Sequence, residues 1–363
     1  MNLCVDARMY LASGIGTYLQ NLLPTLADSC DLTIIGKPDE LKLNRGKVLP
    51  TNIPIYSISE LIKLPRKIPT SDIFWSPHYN VPVLPIRAKK RLVTIHDVFH
   101  LAHANTLTPK QRLYAKLIMR AATQLSSRII TVSEFSKAEI VKYTRVDPEK
   151  IIVIPNGVNL QHFHSSYSLS SQEEVKAKYR LPEQYILYVG NVKPHKNLIA
   201  LIKAYEAIAQ DIPQQLVIVG KKEGFITGDS LLRDNIQRSK ILKERVSFTG
   251  FVVNEDLPII YNLASLFVFP SLYEGFGLPP LEAMACGCLT LTSGRASMPE
   301  ICGKATTYFV PEDKSELSTK IVELLSLSEP YRQEIIQRGI AKANTYTWED
   351  SIKKHIKVIS SLS

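Results

Sequence analysis

The feature that most limits what this chain can fold into is an alternation sustained along most of its length. Short apolar runs of strand character are each followed by a stretch of helical character. LCVDARM, LTIIG, DIFWSP and LVTIHDVF read as buried strands, and SGIGTYLQNLLPTLA follows the first of them as a glycine turn and then a helix. PKQRLYAKLIMRAATQLS reads as a helix that counts Leu113, Leu117, Met119 and Ala121 among its apolar positions. RIITVSEFSKAEIVKY is a strand running into a Ser-capped helix, and IIVIPNGVN closes the series. After a less regular, serine-rich joint, LQHFHSSYSLSSQEE, a second series begins with YILYVG, KNLIALIKAYEAIAQ, QLVIVGK, VSFTGF and LASLFVFP and ends in the helix LPPLEAMACG. Apolar strands alternating with helices imply parallel sheets covered on both faces. Two such series imply two doubly wound α/β domains, which suits 363 residues better than a single core. Ligands of open parallel sheets bind beyond the carboxyl ends of the strands. The residues directly after the apolar runs are therefore the candidates for function.

One of those positions is SLYEGFGLPPLEAMACG, residues 271–287, where Glu274 and Glu282 flank a glycine turn and a proline pair. Pro279 and Pro280 stand where a helix begins, because proline in the first turn costs no hydrogen bond. Glu282 is expected within that first turn. A helix start favours anions, phosphates above all, and Gly275 and Gly277 let the backbone approach a ligand closely. Carboxylates would repel phosphate, so Glu274 and Glu282 are read as acceptors for hydroxyls, one on a sugar and one on a ribose. A ligand both anionic and rich in hydroxyls is a nucleotide sugar. A second position, YVGNVKPHKNL, sets Lys193, His195 and Lys196 in a loop before a helix, the composition of a diphosphate clamp. A third, SGIGTY, brings Gly14 and Gly16 to a tight turn but lacks the third glycine of the dinucleotide fingerprint, which argues against a dehydrogenase. A fourth, TIHDVFHLAH, places His96 and Asp97 after a strand. His96, His100 and His103 have no second ligand cluster beside them, and no D-x-D occurs in the chain, so no metal is expected.

Charge and cysteines narrow the class further. Residues 1–158 carry 21 basic and 12 acidic residues, a net of +9, whereas the remainder carries 23 and 22. The positive field of the first half suggests an anionic partner there. Basicity alone also raises nucleic acid, but no reading module is present. Asp6 and Arg8 interrupt the first apolar run, so no secretory signal is read. The longest apolar stretch, Leu257 to Tyr273, contains Pro258, Asn262 and Pro270 and reads as a strand with its approach rather than a membrane span. The expectation is a cytoplasmic chain. Of five cysteines, Cys286 and Cys288 form a C-x-C with no partner pair at zinc spacing, and all read as buried thiols rather than disulfides.

Taken in order, DARM…SGIGTY, TIHDVFH, ITVSEFSK, IPNGVN, LYVGNVKPHKNL, VSFTGFV and FVFPSLYEGFGLPPLEAMACG resemble the family 4 retaining glycosyltransferases over nearly the whole chain. Within that family the resemblance is to the bacterial mannosyltransferase-like branch of surface polysaccharide synthesis. It implies the GT-B architecture, two Rossmann-like domains facing across a cleft. Residues 1–165 would bind the acceptor, residues 166–345 the nucleotide-sugar donor, and a final helix in 346–363 would cross back to the first domain. Residue by residue, it implies that Glu274 holds the donor sugar's hydroxyls and that Glu282 binds the ribose. Phe276, Gly277 and Leu278 would offer amides to sugar and phosphate. Lys196 would stabilise the departing diphosphate, His96 would contact the transferred sugar, and Gly14 and Gly16 would line the phosphate side. The backbone around Phe251–Val252 would meet the base, and Asp97 is the candidate acceptor-side base.

The chain departs from the family pattern at Asn191, where an arginine is frequent, at His195 within Pro194-His195-Lys196-Asn197, and at Thr17. Lys193 is then the remaining source of a second positive charge. The expected function is retaining transfer of a hexose, mannose from GDP-mannose, to a saccharide acceptor carried on a polyprenyl diphosphate. It would need no metal and would make peripheral contact with an anionic membrane. Lys110, Arg112, Lys116 and Arg120 on one helix are the candidates for that contact. The rival readings are a nucleotide-sugar epimerase of the same fold, a glycosyltransferase using a UDP- or ADP-sugar, and a nucleotide-sugar binder without activity.

Overall fold

The computed structural model describes residues 1–220 and 230–362. It divides into two compact units, one of Met1–Gly157 with Trp348–Ser363 and one of Val158–Thr347. Lys221, the last residue of the expected QLVIVGK strand, lies outside the described residues.

The first unit is built on a seven-stranded, all-parallel sheet. Its strands are β1 (Asn2–Asp6), β2 (Asp31–Gly36), β3 (Lys47–Pro50), β4 (Ser71–Ser76), β5 (Ala88–Thr94), β6 (Arg128–Thr131) and β7 (Ile151–Val153). They lie in the order β3-β2-β1-β4-β5-β6-β7. Successive side chains point to opposite faces. Leu3 and Val5 therefore pack with Tyr18, Leu19 and Leu22 of helix Ser13–Ser29 and with Val358 and Ile359 of the last helix, Trp348–Ser360. Cys4 faces the other way, into Leu64, Ile68 and Phe74. Val93 of β5 points to that same face, under Met119, Ala122 and Ile140. Fully burying each such Leu, Ile or Val contributes about 1.5–3 kcal/mol.

The second unit is a six-stranded parallel sheet in the order β10-β9-β8-β11-β12-β13. Its strands are β8 (Tyr185–Val189), β9 (Gln215–Val219), β10 (Val246–Gly250), β11 (Leu266–Phe269), β12 (Thr290–Ser293) and β13 (Thr307–Phe309). One face carries Leu201, Ile202 and Tyr205 of helix Leu198–Ile208 together with Leu317 and Ile321. The other carries Tyr261, Ala283 and Met298. Both sheets reverse their direction of growth once, between β1 and β4 in the first and between β8 and β11 in the second. The loops after those paired strands run to opposite sides and leave a crevice at the strand ends.

Two expectations are corrected, and the facing of one helix is added. The serine-rich joint lies inside the second unit, because Phe163 and Tyr167 pack on its core and Val158 N–H donates to Tyr346 O at 2.9 Å. The unit boundaries therefore fall at 157/158 and 347/348, not at 165 and 345. Of the apolar positions of helix Pro109–Leu125, Leu113 and Leu117 are 59% and 58% exposed, while Ala115, Ile118 and Met119 face inward. The glycines of SGIGTY do not form a turn ahead of a helix, since the helix begins at Ser13 and both lie in its first turn. A Cβ at Gly16 would stand 2.6 Å from Tyr10 O, so the glycine is needed for the helix to seat against the chain entering it. A Cβ at Gly14 would meet nothing within 4 Å. Gly16→Ala should accordingly destabilise by about 1–3 kcal/mol, whereas Gly14→Ala should be neutral or gain up to about 1 kcal/mol of helix propensity. Urea unfolding of the two variants checks this, and equal effects would contradict it.

Candidate active site

The sheet reversal in the second unit joins the two stretches that the sequence singled out. β8 leads into Gly190, Asn191 and a tight 3-10 turn at Pro194–Lys196, and β11 leads into Ser271–Gly277 and helix Leu278–Ala285. The strands are neighbours, with Leu266 opposite Ile186 and Phe267 opposite Leu187. The two loops are laced together where they emerge. The amide of Leu272 donates to His195 O at 2.7 Å, and Ser271 Oγ lies 3.2 Å from the same carbonyl. Lys196 Nζ pairs directly with Glu274 Oε1, and Ser271 Oγ donates to that oxygen at 2.6 Å. Lys196 also lies over the Phe269 ring, 5.6 Å from its centroid. Asn197, in the left-handed region at φ 55°, starts the following helix and donates from Nδ2 to Pro311 O at 2.9 Å. Lys196 is thus held at both ends of its turn.

Ser297 organises the glycine turn from behind. Its hydroxyl lies 2.9 Å from Glu274 O and 3.0 Å from Phe276 O. Across a planar trans peptide the N–H points opposite the C=O, so the amides of Gly275 and Gly277 are directed away from Ser297. Phe276 is buried with its ring across Tyr346 at 5.5 Å, leaving only its backbone to the turn. Gly277 is required by its backbone, whose φ of +97° a side chain rarely adopts; a Cβ there would also meet the flexible end of Met298. Leu278 opens the helix and the prolines follow. Of the four amides normally left unpaired at a helix start, those of the N-cap Gly277 and of the first three helical residues, Pro279 and Pro280 remove two, so Gly277 and Leu278 carry what anion affinity this terminus has.

Glu282 stands in the second turn of that helix, not the first as expected, since the prolines take the positions after Leu278. It is half-buried, and the buried Tyr261 hydroxyl donates to its Oε2 at 3.2 Å. Burial pushes its carboxyl up to about 7, against the smaller opposing effect of that hydrogen bond. Asn191 and Lys193 are exposed on the β8 loop, and the Asn191 carbonyl accepts from Tyr188 Oη at 3.1 Å. Val252 is not gathered with the others: it follows β10, the edge strand two places from β8, and its side chain joins the core while Phe251 is exposed.

In the first unit the structure assembles a second group. His96 follows β5 and is half-buried. Its Nε2 lies 2.9 Å from Pro77 O, and Tyr18 stands perpendicular to its ring at 4.9 Å. Burial holds its imidazole below the usual value. Since a carbonyl only accepts, Nε2 carries the proton and Nδ1 is the acceptor. Asp97 Oδ1 accepts the amide of Phe99 at 2.9 Å and so closes its own turn. Gly14 is exposed at the start of helix Ser13–Ser29. His100 packs against Tyr79 and His103 stacks on Phe99. Among the described residues no group of three or more His, Cys, Asp or Glu is arranged to hold a metal.

Sequence reasoning missed Ser271, Ser297 and Tyr261, which organise the second unit's site. It also missed a buried network beside β1, in which Arg8 forks onto Asp6 at 2.8 and 2.6 Å and pairs with Glu60. Asn80 and Tyr114 extend that network. Only the buried acid–base spacing Asp6-x-Arg8 could have signalled it.

Residues 12–162 match the family described as Glycosyltransferase Family 4, and residues 171–342 match Glycosyl transferases group 1. The chain is 30% identical over 296 residues to O-antigen chain mannosyltransferase B of Escherichia coli, covering 80% of this chain and 74% of that protein. It is 31% identical over 231 residues to the serotype-specific mannosyltransferase WbdA of Escherichia coli, a match spanning 64% of this chain but only 28% of that longer protein. Among solved structures, Anabaena HepE in complex with UDP and glucose superposes with a TM-score of 0.79 at 18% identity, over 99% of this chain and all of that one.

The Glu282 carboxyl gives a pH test. Its folded value, about 7, exceeds its ordinary 4.5, so the native state holds the proton more tightly and stability falls as pH rises between those values. Glu282→Gln removes that part of the decline. The difference in Tm, variant minus wild type, should widen from pH 5 to pH 8; a difference independent of pH would be contrary.

Proposed function

The chain belongs to the family 4 glycosyltransferases, and we propose that it moves mannose from GDP-mannose to a polyprenyl-diphosphate-linked saccharide, with retention of configuration and without a metal. The observation that carries this reading is the Lys196–Glu274 pair, drawn together over 78 positions by the sheet reversal. Glu274 is the carboxylate for sugar hydroxyls, and Lys196 is the cation for diphosphate. With the donor bound, Lys196 turns from Glu274 toward the phosphate oxygens, joined by Lys193 and by the amides of Gly275, Gly277 and Leu278. Tyr261 occupies Oε2 of Glu282, so Oε1 is the oxygen for a ribose hydroxyl. His96 accepts at Nδ1 from a hydroxyl of the transferred sugar.

Negative charge grows on the diphosphate as the glycosidic bond breaks. A fixed cation and oriented amides stabilise that state more than the ground state. The acceptor hydroxyl attacks from the face that the diphosphate leaves, and its proton passes to the departing phosphate oxygen. The mannose assignment leans on the two mannosyltransferase relatives. Charge neutralisation by lysine and amides leans on the absence of a D-x-D pair in the sequence.

The membrane-facing acceptor is supported by a surface on the first unit. Between residues 73 and 133 the only acidic residue is Asp97, against nine Lys and Arg. Helix Pro109–Leu125 exposes Leu113 and Leu117 one turn apart, between Lys110, Arg112, Lys116 and Arg120. Helix Ile58–Lys67, packed on the same face of the sheet, exposes Ile62 beside Lys63, Arg66 and Lys67. Each cation near an anionic bilayer contributes about 1 kcal/mol, and the leucines can enter the headgroup boundary. No described helix is long and apolar enough to cross a membrane.

The decisive test is the melting temperature with GDP, UDP and ADP, each with and without EDTA. A nucleotide at about 100 times its Kd adds about 2.7 kcal/mol to the folded state. A shift with GDP alone, indifferent to EDTA and reduced in Lys196→Ala, is expected, and Lys196→Ala should lose about 10²–10³-fold in turnover. A shift with UDP or ADP replaces the donor, and none in folded protein rejects the reading. For the surface, sedimentation with phosphatidylglycerol vesicles at low salt should recover the wild type and markedly less of Leu113→Glu/Leu117→Glu. Equal recovery would remove the leucines from the contact.

A further inference from the structure

We propose that Tyr18 and His355 are positioning residues for His96, linked by one directed chain of hydrogen bonds that starts on the last helix; the functional part of this proposal rests on the role given to His96 above. His355 lies on helix Trp348–Ser360 and is fully buried against the first unit, as are Tyr18, Thr94 and Trp75. Its Nδ1 lies 2.7 Å from Ser351 O, its Nε2 2.5 Å from Tyr18 Oη, and Tyr18 Oη 3.1 Å from Thr94 Oγ1, which lies 3.0 Å from Trp75 Nε1.

The order of protons along this chain follows from the chemistry of its ends. Ser351 O only accepts, so Nδ1 of His355 holds the proton. The ring is neutral in this apolar setting, which makes Nε2 an acceptor and obliges Tyr18 to donate to it. The Tyr18 oxygen then accepts from Thr94, and Thr94 accepts from the indole N–H, which can only donate. Every hydroxyl has one direction, and none is left to rotate. Tyr18 is thereby fixed in orientation at its far end, while its ring stands perpendicular to His96 at 4.9 Å and forms one wall against that imidazole. Pro77 O holds the opposite side through Nε2. With both constraints, His96 presents Nδ1 in one direction. Glycine at position 16, two residues before Tyr18, lets the helix carrying Tyr18 seat against the Tyr10–Leu11 backbone.

Purified variants separate positioning from simple stability. The assays are turnover of GDP-mannose and the imidazole nitrogen shifts of His96 in protein labelled with ¹⁵N-histidine. Tyr18→Phe keeps the ring and loses the donor; His355→Leu loses the acceptor; His355→Gln supplies an amide oxygen in its place. Expected are a kcat about tenfold lower for Tyr18→Phe and His355→Leu with KM for GDP-mannose within twofold, and near-normal kcat for His355→Gln. The double variant should be no worse than the poorer single, and the His96 shifts should move in the first two variants but not in His355→Gln. Unchanged kcat and unchanged His96 shifts in folded Tyr18→Phe overturn the proposal, as do equal losses in His355→Leu and His355→Gln. Wild-type turnover in His96→Ala would instead withdraw the role assigned to His96, and the nitrogen shifts would still decide whether the chain of bonds sets that ring.

Discussion

Parallel strands cannot be joined by tight turns, and this constraint governs both units. Every connection must cross a face of the sheet, and growth outward from a first strand has to reverse once if both edges are to be filled. β1 and β4 take that position in the first sheet, β8 and β11 in the second. Where neighbouring strands send their loops apart, backbone amides and side chains at the strand ends have no covering layer above them. The chemistry-bearing residues collect there for that reason. Lys196 and Glu274 stand in the loops after adjacent strands though 78 positions apart, and Asp6 ends the corresponding strand of the first unit with Arg8 just beyond it.

At the second unit's reversal Lys196 and Glu274 are partners before any ligand arrives. Lys196 is balanced by Glu274, and Glu274 is also held by Ser271. Ser297 takes two carbonyls of the glycine turn and so aims its amides outward. The pair stays partly open to water, so under the proposed function a phosphate would replace the carboxylate as the lysine's partner without leaving a fully buried charge unpaired. Two prolines limit the helix terminus to two amides outside the helix's own ladder. The first unit differs in kind. The groups behind the His96 ring (Tyr18, Thr94, Trp75 and His355) are buried and mutually bonded, which suits orienting a group rather than neutralising charge.

Much of the fold was legible because buried parallel strands are continuous apolar runs. Three strands escaped. β3 is four residues with two exposed ends. β12 reads TLTS, a fully buried strand disguised by hydroxyls, and β13 has three residues. Which of the apolar positions of helix Pro109–Leu125 face inward was not legible, because periodicity counts apolar residues without knowing which face has a neighbour: Leu113 and Leu117 are exposed and Met119 is buried. The glycines at 14 and 16 suggested a turn, yet helical geometry won, since the chain from Tyr10 packs against the space where a Cβ of Gly16 would be. The serine-rich joint looked like a linker by composition, but Phe163 and Tyr167 anchor it to the second unit.

Sequence by itself determined the class of fold and the local chemistry. Apolar period and helix signals are local, and so are a carboxylate beside a glycine turn or a lysine before a helix. Tertiary structure decided what those groups are. It joined Lys196 to Glu274, placed Ser297 and Tyr261 behind the turn, moved Glu282 a turn further and raised its affinity for a proton by burial. It also brought His355 from the far end of the chain onto Tyr18, across 337 positions. Contacts of that separation have no local signature, because they arise only when strand order and helix packing bring distant segments to the same place.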